Sequence, residues 1–284
     1  MSKNVYVVIG SSGRIASRIV HELLADLENQ VYGVDIKPAN DSDNSIWNLT
    51  GRFTYFKVDV LNYEELRSVS NAIYIAELTL KGILNAFWIP ESQLPELLVQ
   101  PRLPEAGRIG QERNCAIANS FINLSGESIS LEVGKTIIGI HNVTRLFWDL
   151  MLQSGDVSIV NITSQYGQKV PNQDLFINDN KFTFKLPGYS LAKAAIITYT
   201  EYLSSVLSNI SSTHGVIRAN CVSPGNIKQS NHSKDFEDRY SKLTWTYGMP
   251  DVEDIVPGIM LLLSKGSRYM NATILNIDGG WVRK

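Results

Sequence analysis

Short β-branched runs alternate along this chain with longer stretches in which apolar residues return every three or four positions. Val5 to Ile9 is a compact apolar run that stops at Gly10, the pattern of a strand buried on both faces of a parallel sheet. Ile15, Ile19, Leu23 and Leu27 follow at helical spacing. Val31 to Val34, ending in Asp35, and Phe53 to Val58, ending in Asp59, read as the second and third strands. Glu64 to Leu80 reads as a helix closed by Lys81 and Gly82, and Ile83 to Phe87 as the fourth strand. Downstream the pattern predicts a long helix from about Glu132 to Gln153, a strand Ser158 to Ile162 and a helix from Tyr189 to about Leu207. A strand Val216 to Val222, a helix Asp251 to Ser264 and a last strand Ile274 to Ile277 complete it. Such alternation predicts an α/β fold, a single doubly wound parallel sheet with helices on both faces, over residues 1–284 as one domain. The least regular part, about 88–126, is rich in Pro, Gly and polar residues and is expected to be an insertion.

Composition narrows the class without naming a function. With 284 residues, 44% of them hydrophobic and 19% charged, the chain is long enough to bury a sizeable core. A net charge of -2 gives no reason to expect nucleic acid or an anionic membrane as partner. The first residues lack a basic end followed by an apolar run, and no apolar stretch reaches the length of a membrane span, so the expected location is the cytoplasm. Cys115 and Cys221 form no CxxC pair, and His21, His141, His214 and His232 are scattered, so neither a disulfide framework nor a metal site is expected.

The chemistry begins at "IGSSGRIA". Gly10 directly after the first strand and Gly13 before the first helix permit a tight turn. Ser12, Gly13, Arg14 and Ile15 then open a helix whose free N–H groups and dipole suit a pyrophosphate. Ala16 stands where a third glycine is usual and is small enough for close packing on the sheet. Asp35 and Ile36, at the end of the second strand, are placed to meet an adenosine ribose, and the Asp35 charge would repel a 2′-phosphate. NAD is therefore the expected cofactor, with NADP possible because Arg14 and Lys37 attract a phosphate.

A second constellation, "GYSLAKAAIITY", sets Tyr189 and Lys193 four positions apart, on one face of a helix. A free phenol titrates near 10, so useful phenolate at neutral pH needs a fall of roughly two to three units, about 3–4 kcal/mol, which an adjacent cation reinforced by a positively charged cofactor ring can supply.

Together these residues resemble the short-chain dehydrogenase/reductase family over nearly the whole chain, which implies an NAD(P)-binding Rossmann domain. Asp59 and Val60 look like the family's adenine-contacting pair, and Asn85 and Ala86 resemble the remnant of its Asn-Asn-Ala-Gly motif. "SIVNITSQYG" resembles the fifth-strand motif, with Ile162 on the cofactor side and Ser164 as the catalytic serine. "NCVSPGNI" resembles the segment that approaches the nicotinamide, implying roles for Pro224, Gly225 and Ile227, and "NIDGGW" resembles the closing strand. By this resemblance Tyr189 exchanges a proton with the substrate oxygen, Lys193 lowers its pKa and holds the nicotinamide ribose, and Ser164 orients the substrate oxygen.

There are two departures. Many members carry a helix asparagine that supports the lysine, whereas here Thr136 falls near that position and Asn142 lies two turns on. The stretch between Ser164 and Tyr189 is longer than most members have, and with its flanks it is similar to oxidoreductases of bacterial surface-sugar pathways, those for flagellin glycans and nonulosonic acids included. Lys228, Lys234 and Arg239 in an expected substrate loop at about 228–245, with Arg102, Arg108 and Arg113 from the insertion, are candidate contacts for an anionic sugar. Trp88, Trp245 and Phe176 are candidate stacking platforms. The resulting expectation is an NAD(P)-dependent alcohol/carbonyl oxidoreductase acting on a sugar derivative as a homodimer or homotetramer. The alternatives are a nucleotide-sugar epimerase or dehydratase that retains NAD, and a cofactor-binding regulator without catalysis.

Overall fold

The structure, a computed structural model, describes residues 4–38, 51–88, 125–178, 181–182, 187–246 and 248–284. Residues 89–124 of the expected insertion, with Arg102, Arg108, Arg113 and Cys115, lie outside them.

The elements run β1 (Asn4–Ile9), α1 (Arg14–Ala25), β2 (Asn29–Asp35), β3 (Phe53–Lys57), α2 (Tyr63–Ile75), β4 (Thr79–Asn85), α3 (Gly126–Leu146), α4 (Trp148–Ser154) and β5 (Val157–Ile162). A short hairpin β6 (Ile177–Asn178) and β7 (Lys181–Phe182) precedes α5 (Pro187–His214), β8 (Ile217–Pro224), α6 (Lys234–Ser241), α7 (Val252–Leu263) and β9 (Ile274–Ile277). Seven strands form one sheet in the order β3-β2-β1-β4-β5-β8-β9, every pairing parallel.

The apolar runs are continuous because both faces of the sheet are covered. Along each strand neighbouring residues point to opposite sides. Val7, Ile83 and Ile159 join a core with Leu66 of α2, Val143 of α3 and Leu203 of α5. Val8, Leu84 and Val160 join the opposite core with Ile19 of α1 and Ile259 of α7. Each such side chain, removed from water, contributes about 1.5–3 kcal/mol.

Several boundaries differ from the pattern-based expectation. The helix expected to reach Leu80 ends at Ile75, because Glu77 turns the chain with φ +52° and Thr79 already opens β4. The single helix expected over Glu132 to Gln153 is two, broken at Phe147, and starts earlier, where the Ser125 hydroxyl accepts from Ser128 N. The helix expected over Tyr189 to Leu207 extends from Pro187 to His214. No helix among the described residues is long and apolar enough to cross a membrane.

Candidate active site

Sheet order reverses direction on either side of β1, and the register fixes what meets there. Ile9 pairs with both Val34 of β2 and Asn85 of β4, so Gly10, Asp35 and Ala86 emerge side by side at the carboxyl edge. Gly10 adopts φ +78°, and a Cβ there would stand 2.8 Å from the Ala86 carbonyl oxygen. Any side chain would both strain the turn and fill the gap. Gly13 caps α1 without a side-chain hydrogen bond to the first turn. The Asp35 carboxylate ties this turn to β2, accepting from Ser12 N at 3.0 Å and from Lys37 N at 3.0 Å.

A cleft of about 520 Å³ opens here, lined by Gly10, Gly13, Asp35, Ile36, Asp59, Val60 and Ala86. These residues suit a dinucleotide: a turn with no room for a Cβ, an open helix N-terminus for phosphate, and a fixed carboxylate for a ribose. Asn142 donates to the Val60 carbonyl at 2.9 Å and so holds one wall. Phe87, Trp88 and Lys135 line the same cleft, and sequence reading missed Lys135 in this role.

The other expected cofactor residues lie around this cleft in different ways. Arg14 reaches across to donate to the Lys228 carbonyl at 2.7 Å. Ile15 and Ile227 pack on the core between α1 and α7. Asn85 is buried and donates to Asn161 Oδ1 at 2.8 Å, and Asn161 donates to Thr200 Oγ1 on α5 at 2.8 Å. Pro224 ends β8, and Gly225 N donates to the Ile277 carbonyl at 2.8 Å.

Ser164, Tyr189 and Lys193 come together past the end of β5. Ser164 is buried, and its hydroxyl accepts from Tyr166 N at 3.2 Å and is hydrogen-bonded to the Tyr189 hydroxyl. Lys193 is 4% exposed, donates from Nζ to the Ile162 carbonyl at 3.0 Å, and stands 5.8 Å from the Tyr189 ring centroid. Trp88 and Tyr166 set their rings edge-on to Tyr189, with centroids 5.4 and 6.5 Å away.

The electrostatics give the phenol and the lysine each a direction. Burial pushes the Tyr189 phenol above its ordinary value; the hydrogen bond with Ser164 opposes that, and the Glu132 carboxylate adds to it. Burial likewise depresses Lys193 to about 8, against the opposing influence of Cys221 and Glu132. In the chain without a cofactor, burial therefore favours the protonated phenol, whereas the expected fall relied on the ammonium together with a positively charged cofactor ring.

The expected substrate loop contains the helix α6. Lys228 pairs with Glu237 at 3.1 Å, Lys234 with Asp238 at 2.7 Å, and Arg239 with Asp235 at 2.8 Å. The three cations expected to meet an anionic substrate are therefore engaged within the loop itself. Tyr240, fully buried, accepts from Asn226 N at 2.9 Å and donates to Gln165 Oε1 at 3.0 Å, fastening α6 to both the Pro224 and the Ser164 segments. Phe176 packs with Tyr166 and Phe236 along one wall, while Trp245 is 64% exposed.

Comparison with known proteins accords with this geometry. A family profile described as enoyl-(acyl carrier protein) reductase matches residues 108–282. An uncharacterized oxidoreductase of Haemophilus influenzae is 23% identical over 297 residues, covering 99% of this chain and 94% of its own. The post-translational flagellin modification protein A of Campylobacter coli is 28% identical over 155 residues, 55% of this chain and 56% of its own. Among solved structures, that of a putative D-mannonate oxidoreductase from Haemophilus influenza with bound NAD has a TM-score of 0.76 at 21% identity, covering 100% of this chain and 96% of that one. The chain belongs to the short-chain dehydrogenase/reductase family of NAD(P)-dependent oxidoreductases.

Proposed function

We propose that this enzyme interconverts an alcohol and a carbonyl on a sugar or sugar derivative, with NAD as the preferred cofactor. The observation that carries the substrate class is the Trp88 indole, 37% exposed, lining the cofactor cleft and edge-on to Tyr189. An aromatic face beside the reacting hydroxyl suits the C–H face of a sugar ring, the ring hydroxyls facing polar neighbours. The flagellin modification protein and the putative D-mannonate oxidoreductase among the relatives accord with such a substrate. For the cofactor, both Asp35 oxygens accept backbone N–H bonds, which fixes an acidic side chain where it disfavours a 2′-phosphate. Arg14, a candidate phosphate contact, is committed to the Lys228 carbonyl.

When bound, the nicotinamide accepts or supplies the hydride. The chain's own residues manage the proton and the geometry. Ser164 would hold the substrate oxygen beside the phenol; in oxidation the Tyr189 phenolate takes the hydroxyl proton as the carbonyl forms, and in reduction the phenol gives it back. Lys193, anchored on the Ile162 carbonyl, supplies the cation that opposes the cost of a buried phenolate. The expected partner is a second copy of the chain. Supporting this, the outer faces of α3, α4 and α5 carry a groove of about 460 Å³ lined by His141, Trp148, Tyr202 and Val206, with Tyr202 71% exposed.

A panel of sugars, aldonates, sugar nucleotides and 3-oxoacyl thioesters, each offered with NAD(H) and NADP(H), tests the reading at the nicotinamide absorbance band. Turnover of a sugar derivative with NAD(H), abolished by Tyr189→Phe, is expected. Turnover confined to the thioesters would refute it.

A further inference from the structure

One carboxylate near the catalytic tyrosine has no part in the chemistry so far. Glu132 lies on α3 and is 1% exposed. A buried carboxylate costs several kcal/mol of desolvation, so it persists only where polar partners hold it. Its Oε1 accepts from Trp88 Nε1 at 3.4 Å. Its Oε2 occupies the space a Cβ of residue 188 would need, 2.1 Å from that point, so a side chain before Tyr189 would push the carboxylate from its place. Trp88 in turn stands edge-on to the Tyr189 ring. The carboxylate therefore fills the angle between the backbone that delivers Tyr189 and the indole that flanks it.

The two polar residues of α3 expected near this place are spent elsewhere. Thr136 donates to the Glu132 carbonyl at 2.8 Å, one turn back on its own helix. Asn142 donates to the Val60 carbonyl. We propose that Glu132 is a positioning residue of the reaction, its carboxylate bracing Gly188 and Trp88 so that Tyr189 is held at its reacting position.

A negative charge there has a second consequence, in the direction already seen for Tyr189 and Lys193: it favours the protonated form of both. The titratable or polar groups facing this pair are Glu132 from α3, Ser164 and Tyr166 after β5, Trp88 after β4, and Cys221 of β8 behind Lys193. Lys135 lies on the cofactor side. Among the described residues, Glu132 is the carboxylate that acts on both Tyr189 and Lys193.

The proposal rests on the dehydrogenase chemistry of Tyr189 and not on the sugar substrate. The test uses the full chain carrying Glu132→Gln or Glu132→Asp. The Tyr189 titration is read as the ultraviolet tyrosinate difference between each protein and its counterpart with Tyr189→Phe, which needs no substrate. Glu132→Gln is expected to move that titration down by about one unit. It should also lower kcat about tenfold, on the most active alcohol of the panel, with KM for NAD within twofold. Glu132→Asp keeps the charge but withdraws it by a methylene, so the titration stays near the wild-type position while kcat falls severalfold. An unmoved Tyr189 titration in Glu132→Gln, with only a lower thermal midpoint, would mean a purely structural role and overturn the proposal. So would an unchanged kcat in Glu132→Asp. If no sugar in the panel turns over, the substrate reading fails, while the tyrosinate titration still decides the role of Glu132.

Discussion

Replacing Lys193 by Met should make the ligand-free fold respond differently to pH. In the native chain the ammonium is 4% exposed and its pKa is depressed from 10.5 to about 8. A group depressed in the folded state binds fewer protons there than in the unfolded chain, so stability rises with pH between the two values and the charged form opposes folding below them. A shift from 10.5 to about 8 corresponds to about 3 kcal/mol of opposition at pH 7, and the same titration leaves about 1.4 kcal/mol at pH 9.5. Lys193→Met removes this pH-dependent cost and also the 3.0 Å hydrogen bond to Ile162, worth about 1.5–3 kcal/mol at pH 7, where the lysine is mostly charged. The absolute difference at pH 7 is therefore small. Its change is not: relative to wild type, the variant should lose about 2 kcal/mol of stability between pH 7 and pH 9.5. Urea unfolding of both proteins at a series of pH values, without cofactor, measures it. Parallel stability curves would show that the folded lysine titrates as it does in water, and the electrostatic description of the site would fail.

Two further outcomes follow from the geometry. Asp35→Ala removes the acceptor for Ser12 N and Lys37 N and the charge facing the ribose; kcat/KM with NAD should fall at least about tenfold while the NAD-to-NADP ratio moves toward NADP, and an unchanged ratio would remove Asp35 from cofactor choice. Tyr240→Phe leaves Asn226 N and Gln165 Oε1 without their shared hydroxyl; a loss of about 1–3 kcal/mol in urea unfolding is expected, with a raised substrate KM as α6 loosens, and unaltered stability would count against the clamp.

The sheet was legible because its strands are buried on both faces, so Val5 to Ile9 and Ser158 to Ile162 stand out as apolar runs whatever their neighbours do. The glycine turn and the Tyr189, Lys193 pair were legible for a local reason: backbone space and helix spacing are written in adjacent residues. What stayed hidden depends on distant contacts. The break at Phe147 falls inside an uninterrupted helical pattern, and Phe147 is fully buried in the core that sets it. Lys228, Lys234 and Arg239 read as free cations, but their carboxylates are supplied by the helix α6, which the polar composition concealed. Glu132 looks in sequence like an exposed helix position, and the one signal that marked it was the glycine before Tyr189. Spacing likewise reveals a neighbouring ammonium but not the water lost around a phenol, so the burial that pushes Tyr189 upward in the chain alone was not legible.

Backbone contact sets the relation of the Ser164 segment to the helix that carries Tyr189 and Lys193. Thr163 Oγ1 donates to the Lys193 carbonyl at 2.7 Å, and a Cβ on Gly167 would lie 2.7 Å from the Lys193 carbonyl carbon, so the Ser164 segment lies directly against the helix that carries Tyr189 and Lys193. Farther down, the chain of amides and hydroxyl from Asn85 through Asn161 to Thr200 locks β4, β5 and α5 in register. Each of these contacts involves main chain or a buried amide, which leaves little rotational slack. Residues 168–186 then begin and end on a frame fixed without them. Changes of sequence or length there are expected to leave Ser164, Tyr189 and Lys193 in the same relation.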